Sequence, residues 1–474
     1  MKVEAQGMFG GPIVKSGTSR KGKPTVISDL VGSKAHAFYK YGLGQFIRLH
    51  TYSIGAYVRE NHINKDPLVE TTGEEVFKIE DERNKIDSAH KRIDFEDFDA
   101  KNWARQAKKM GARYVICTTK QDDGIALRPC KFSINKDTTM SYRKDNVKEI
   151  VNAYTAEGID VFFYFAIMGT RSSNLIVKKP ITNEEKRKST LFWEYTKNQI
   201  SELLDHYPQV KGMWLDGTCD PLSESNSERI FQLEKDIRKR YPNFIIGLHF
   251  RSIGERNRFY PTAEFSGYAT ENWSSKFSKQ APTSKEDDRE MMVAIVPKNK
   301  QHIETWSDEY FRSTNDIIEL MMKALSNNEN FVLGFCPDEL GNMQPGENKI
   351  ARELGEWMVV NHEAVYDVRN AVGFQETAYG YYTQKEHALY LTVFNRPNDN
   401  KLRLVVNKDV KDVPLNAYLL SIDRPLDIKQ PGIYTDGGIN HYYDIQLPHN
   451  FKTERPFVIK ICLGPVPKSK EIVP

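Results

Sequence analysis

Phe98-Asp99-Ala100-Lys101-Asn102-Trp103-Ala104-Arg105-Gln106-Ala107-Lys108-Lys109-Met110-Gly111-Ala112-Arg113-Tyr114-Val115-Ile116-Cys117-Thr118 carries an amphipathic helix, a stop and a buried strand in direct succession. Trp103, Ala107 and Met110 recur at spacings of four and three, which puts them on one helix face. Gly111 closes the helix, and Tyr114 to Thr118 follows without polar alternation, as in a strand covered on both faces. The same grammar repeats outward in both directions. Gly44 to Leu49, Asp160 to Phe165, Gly212 to Leu215, Phe244 to Leu248 and Phe331 to Phe335 read as strands. Phe192 to Tyr207, Glu228 to Arg240, Asn315 to Leu325 and Lys349 to Val360 read as helices. Apolar strands each followed by a helix predict a parallel sheet, and their recurrence over roughly 320 residues predicts a (β/α)8 TIM-like barrel. A doubly wound sheet fits less well, because no strand runs into a G-x-G-x-x-G turn.

Beyond about residue 370 the pattern becomes alternating. Ala388 to Phe394, Leu402 to Val406, Tyr418 to Ser421 and Phe457 to Leu463 are separated by turn residues such as Asp436-Gly437-Gly438, which predicts a C-terminal antiparallel β-sandwich. Residues 1–35 are rich in Gly, Ser, Lys and Pro and read as an N-terminal arm. The expected division is therefore an arm at 1–35, an α/β barrel at 36–368 and a sandwich at 369–474.

With 39% hydrophobic residues and 28% charged ones the chain is that of a globular protein, and a net charge of +3 is too small to point to nucleic acid. No apolar run reaches the roughly 20 residues of a membrane-spanning helix, so no membrane span is expected. Met1-Lys2-Val3-Glu4-Ala5 opens no signal-peptide pattern, which fits either a cytoplasmic chain or one whose signal has been trimmed. Cys117, Cys130, Cys219, Cys336 and Cys462 are scattered and predict buried free thiols. No H-E-x-x-H or comparable cluster occurs, so neither metal nor other cofactor is expected.

In a barrel, chemistry gathers where strands end. Gly212-Met213-Trp214-Leu215 ends in Asp216-Gly217, where the glycine allows substrate close to the backbone; a catalytic carboxylate and a helix N-cap both fit Asp216 on pattern alone. Two carboxylates across a sugar suffice for glycoside hydrolysis, one as nucleophile and one as acid/base. The sequence holds too many acidic residues for pattern to choose the second.

The segment from Phe98 through Trp103, Ala104, Ala107, Lys108, Gly111 and Ala112 to Tyr114 is similar to the F-D-A-x-x-W-A-x-x-A-K-x-A-G-A-K-Y stretch of the alpha-L-fucosidases, glycoside hydrolase family 29. Trp214-Leu215-Asp216-Gly217 resembles their W-x-D-G nucleophile strand. Asn330-Phe331-Val332-Leu333 with Pro337 and Gly341 resembles G-N-L-L-L-N-x-x-P-x-x-x-G, and Gly355-Glu356-Trp357 with Glu363-Ala364-Val365-Tyr366 resembles I-G-x-W followed by G-E-A-I-Y. The resemblance implies a retaining exo-glycoside hydrolase acting on an oligosaccharide or glycoconjugate, with Asp216 as nucleophile. It makes Glu290, in Glu290-Met291-Met292, the first choice of acid/base and Glu271, in Tyr268-Ala269-Thr270-Glu271, the second. Substrate contact carries over to Arg48, His50, Glu60, Gln121, Asp122, Tyr164, Trp214 and Arg251. Relatives that work on extracellular glycans imply an extracytoplasmic location, periplasmic or secreted.

The family's F-I-H-W-G-x-Y-S stands here as Phe46-Ile47-Arg48-Leu49-His50-Thr51-Tyr52-Ser53, K-H-H-D-G-F as Lys120-Gln121-Asp122-Asp123-Gly124-Ile125, and E-W-Y as Glu60-Asn61-His62. Arg48, Gln121 and Asp122 thus replace three imidazoles, and Asn61 a stacking ring. Buried polar pockets discriminate by factors on the order of 10⁴ when one partner is lost. The change argues against plain alpha-L-fucose and leaves a modified or anionic fucose-like sugar as the expectation. Arg48 offers a fork for a sulfate or carboxylate, or it pairs with Asp122 or Asp123. Two rival readings stay open: a degenerate glycan-binding protein and an endo-acting polysaccharide hydrolase.

Overall fold

The computed structural model describes residues 38, 40–49, 95, 97–121, 124–132, 144–167, 182–216, 221–248, 265–269, 290–295, 311–338, 340–408, 410–430 and 440–465. Helix α1 spans Ala100–Met110. Its side-chain cap is Asp99, which accepts from the Asn102 amide at 3.0 Å. Gly111 ends it at φ 94°, a left-handed conformation open to glycine. Trp103, Ala104, Ala107 and Met110 form the buried face, and the Trp103 indole donates to the Gly341 carbonyl at 3.2 Å. Strand β2, Tyr114–Lys120, follows and is buried throughout.

Seven further strands join β2 in a parallel sheet: β1 (Leu43–Ile47), β3 (Asp160–Ala166), β4 (Gly212–Asp216), β5 (Ile245–Leu248), β6 (Phe265–Ala269), β7 (Glu290–Ile295) and β8 (Asn330–Phe335). They pair in chain order, and β8 returns to β1 with Leu43 opposite Phe331, which closes the sheet into a barrel. Large rings fill the lumen: Phe38, Phe46, Tyr114, Phe162, Tyr164 and Trp214 share one buried cluster. Gly44 makes room for this filling, since a Cβ there would lie 2.3 Å from the Tyr114 ring.

Outside the strands lie α1, α2 (Asn146–Ala156), α3 (Asn183–His206), α4 (Pro221–Arg240), α5 (Thr314–Ser326) and α6 (Pro345–Asn361). Among the described residues no helix follows β5 or β6, so six of the eight expected strand–helix units are described. None of the described helices is long and apolar enough to cross a membrane. Cys117 and Cys336 are buried free thiols as expected, but Cys130 and Cys462 are only partly covered.

Seven antiparallel strands follow: β9 (Gly380–Lys385), β10 (Ala388–Val393), β11 (Lys401–Asn407), β12 (Asp412–Leu419), β13 (Arg424–Lys429), β14 (Asn440–Gln446) and β15 (Phe457–Pro465). The expected sandwich is corrected in one respect. The strands form one hydrogen-bonded order, β11-β14-β13-β12-β15-β10-β9, because β13 pairs with β12 on one side and β14 on the other. Alternate residues of β10, β11, β12 and β15 build its own core, including Leu391, Leu404, Leu419 and Ile461. The opposite face packs on the barrel's helices through Tyr390 and Val458. Polar contacts fix the seam: the Trp357 indole donates to Pro456 O at 2.7 Å and Lys460 meets Glu363 at 2.7 Å.

Candidate active site

Asp216 is the last residue of β4, at the rim where the parallel strands run out. Helix α4 begins at Pro221, five positions on, so Asp216 is not the cap residue of that helix. Its carbonyl instead accepts the Ile167 amide at 3.0 Å, which ties the ends of β3 and β4 together. Its side chain meets Tyr164. In register Tyr164 lies opposite Trp214 and Ala166 opposite Asp216, so the phenol starts one pleat below the carboxylate. The ring rises from there, and the Tyr164 hydroxyl donates to Asp216 Oδ2. A donor fixed by the barrel wall holds the carboxylate in place at the rim.

Below this pair the floor is aromatic. The Tyr164 and Trp214 rings stand 5.2 Å apart at 89°, and Phe46 lies 5.4 Å from the first and 5.9 Å from the second. Tyr164 and Trp214 are 4% and 5% exposed, so the rings form the bottom of the mouth, and Asp216 stands above them, half-buried. Arg48 follows β1 directly. Its amide donates to Phe335 O at 3.0 Å, and its half-buried guanidinium lies 6.0 Å from the Phe46 ring centroid. Gln121 follows β2 directly and starts a turn in which the Gly124 amide donates to the Gln121 carbonyl at 2.9 Å.

The structure thus brings Tyr164, Trp214 and Asp216 together, with Arg48 and Gln121 at the ends of the two preceding strands. His50, Glu60, Asp122, Arg251 and Glu271 lie outside the described residues. Glu290, the expected acid/base, is placed through its backbone. It opens β7, opposite Ser266 and one residue before Met291, which pairs with the first residue of β8, Asn330. The strand runs five residues further to Ile295. At about 3.3 Å per residue the Glu290 backbone starts some 16 Å short of the strand's functional end. The likeness at Glu290-Met291-Met292 thus falls on the start of that strand.

Three contributors went unread in the sequence. Phe46 completes the floor. Thr118 and Thr119, buried near the end of β2, donate to Ile47 O at 3.1 Å and Tyr164 O at 2.8 Å. Two adjacent hydroxyls at a strand end were the available signal. Among the described residues no group of three or more His, Cys, Asp or Glu side chains is placed to hold a metal.

The loop after β8 is held by a buried carboxylate. Glu347, wholly buried in the first turn of α6, accepts from the Cys336 amide at 2.7 Å and the Gln344 amide at 3.2 Å. Burial pushes its pKa up to about 8, with the Asp338 charge adding to the rise and the two amides opposing it. A carboxyl raised from 4.5 in the unfolded chain lends stability that is complete below pH 4.5 and is lost as pH climbs through 8. The slope reaches at most about 1.4 kcal/mol per pH unit. Glu347→Gln cannot ionise, so its unfolding free energy should fall less than the wild type's between those limits. Denaturant titrations at pH 5 and pH 9 check this; equal pH slopes for the two proteins would refute it.

The alpha-L-fucosidase family model matches residues 28–363, well over half of the chain. The chain belongs to the alpha-L-fucosidase family. An alpha-L-fucosidase of Branchiostoma floridae is 23% identical over 64% of this chain and 66% of its own length. The tissue alpha-L-fucosidase of Rattus norvegicus is 22% identical over 65% of this chain and 64% of its own. The chain therefore spans a little under two thirds of these relatives. Among solved structures, an alpha-L-fucosidase of Bacteroides thetaiotaomicron, trapped as a covalent intermediate with 2-fluoro-fucosyl fluoride in a Glu-to-Gln mutant, superposes with a TM-score of 0.74. It shares 24% identity and covers 91% of this chain and 96% of its own. This likeness extends the family's fold over both the parallel barrel sheet and the antiparallel sheet.

Proposed function

We propose that this fucosidase-family chain is a retaining exo-glycoside hydrolase that removes a terminal alpha-L-fucose-like sugar, on a (β/α)8-type barrel. The observation that carries the reading is Asp216 at the end of β4, oriented by the Tyr164 hydroxyl over an aromatic floor. In the first step an Asp216 oxygen attacks the anomeric carbon while a second carboxylic acid protonates the departing glycosidic oxygen. In the second step that residue, now a carboxylate, takes a proton from water, whose oxygen displaces Asp216 and restores the starting configuration. The trapped covalent intermediate of the Bacteroides enzyme supports such a double displacement.

Glu271 is the better acid/base here. In sequence it stands two residues after Ala269, the last residue of β6, whereas Glu290 opens its strand. Arg48 and Gln121, in place of imidazoles, favour a sugar carrying a sulfate or carboxylate. Such sugars occur in extracytoplasmic glycans, which is where we place the activity.

Release from aryl alpha-L-fucoside, alpha-L-galactoside, beta-D-galactoside and their sulfated forms, with product configuration followed by NMR, tests the reading. Retained product from at least one is expected, and none from any would overturn it. Glu271→Gln should slow a poor leaving group on the order of 10²-fold or more and a dinitrophenyl glycoside far less, since the acid matters least when the leaving group needs no proton. The same pattern in Glu290→Gln instead would reassign the role.

A further inference from the structure

We infer that the single extra residue Thr119 is a positioning device that aims Gln121 at the substrate. The inference rests on the proposed glycosidase reading and deepens it. Between β2 and β3 the register runs Thr118 to Tyr164 and then Lys120 to Phe165, so Thr119 has no partner position of its own. A bulge of this kind shifts the in-and-out alternation by one residue. Thr118 keeps the lumen side that Tyr164 occupies. Without the bulge Lys120 would share that side. With it, Lys120 goes behind the barrel wall, and Gln121, next along the chain, comes onto the side of Tyr164 and Asp216.

The displaced lysine is seated against helix α3. Lys120, 2% exposed, donates to Gln199 Oε1 on α3 at 3.4 Å. Its ammonium lies 4.3 Å from the Phe165 ring centroid and 5.5 Å from that of Tyr195. A cation over two ring faces behind the wall is a stable seat, and it keeps the chain from rotating back. Where the ladder is interrupted, the Thr119 hydroxyl donates to the Tyr164 carbonyl at 2.8 Å. The same threonine's carbonyl accepts from Leu127 at 3.0 Å, and Lys120 bridges Ala126 antiparallel. The chain beyond the bulge is thereby folded into a short hairpin whose turn starts at Gln121 and passes through Gly124 at φ 79°. Arg128 anchors the returning arm to α3 through Glu202 at 3.1 Å. One hydroxyl thus links the backbone of Tyr164, the orienter of Asp216, to the turn carrying Gln121.

The test uses Thr119→Val, which removes the hydroxyl at nearly constant shape, and Thr119→Ser, which keeps it, in the full chain. With the aryl glycoside that the wild type hydrolyses best, Thr119→Val should raise KM about tenfold with a smaller change in kcat, and Thr119→Ser should restore both. In a Gln121→Ala background the valine should add less than about twofold, because the two residues act through one contact. Hydrogen exchange gives a readout that needs no turnover: the Gly124 and Leu127 amides should exchange about tenfold faster in Thr119→Val, with the α1 amides unchanged. Wild-type KM and wild-type exchange in Thr119→Val would overturn the inference. If the wild type cleaves no glycoside, the hydrolase reading fails by itself, and the exchange rates still decide whether Thr119 holds the turn.

Discussion

Asp216→Asn should lower kcat on the order of 10⁴-fold or more for every glycoside that the wild type cleaves, with little change in thermal stability. The substitution keeps the shape and an oxygen that can still accept from the Tyr164 hydroxyl, so the β3–β4 rim and its aromatic floor need not rearrange. What disappears is the negative charge that, on the proposed mechanism, forms the bond to the anomeric carbon. Azide makes the assignment specific. In Asp216→Ala it can enter the vacated space and attack the same carbon, and the glycosyl azide formed carries the inverted configuration, because only one displacement has occurred. Asp216→Asn with turnover within about tenfold of wild type would remove this carboxylate from the mechanism. Azide product of retained configuration would place the nucleophile elsewhere.

The fold was legible where apolar runs were continuous. Tyr114 to Thr118, Asp160 to Phe165 and Phe331 to Phe335 became barrel strands within one or two residues of their expected ends, because burial on both faces leaves no other use for such runs. Helix α2 went unread although Val147, Ile150, Val151 and Tyr154 are its buried stripe. The C-terminal strands were legible by alternation, but alternation says nothing about neighbours, and the dual pairing of β13 joins what was expected as two layers. The site divides in the same way. Asp216 stands out in the sequence because an apolar run stops there at an acid and a glycine. Its bond from Tyr164 spans two strands and depends on register, which no local pattern encodes. The bulge at Thr119, one residue past the strand as read from sequence, exists only as a mismatch between β2 and β3. Glu290 stands at the start of β7, a height in the barrel that its local sequence does not encode.

Arg128→Met should reduce the unfolding free energy at neutral pH by about 3–5 kcal/mol, the range for removing one partner of a buried ion pair. The Arg128 and Glu202 side chains are 3% and 8% exposed and meet at 3.1 Å. Burial alone raises the Glu202 pKa. The Cys130 thiol, the Arg128 charge and the Lys131 amide together outweigh it and hold the carboxyl below its ordinary 4.5. A lowered folded value means that the ionised carboxylate's contribution is present above pH 4.5 and is lost as pH falls through the folded value. Without the guanidinium one of the influences holding the carboxyl down is lost, so its ionised form is less favoured in the folded chain, and the penalty is greatest where the unfolded chain is ionised. The gap between Arg128→Met and wild type should therefore be widest near pH 7 and should narrow in acid, which chemical denaturation at several pH values measures. Arg128→Met/Glu202→Leu should recover most of the loss, because an apolar pair leaves no stranded charge behind the wall. A single Arg128→Met variant within about 1 kcal/mol of wild type at neutral pH would mean that the pair is solvated in solution.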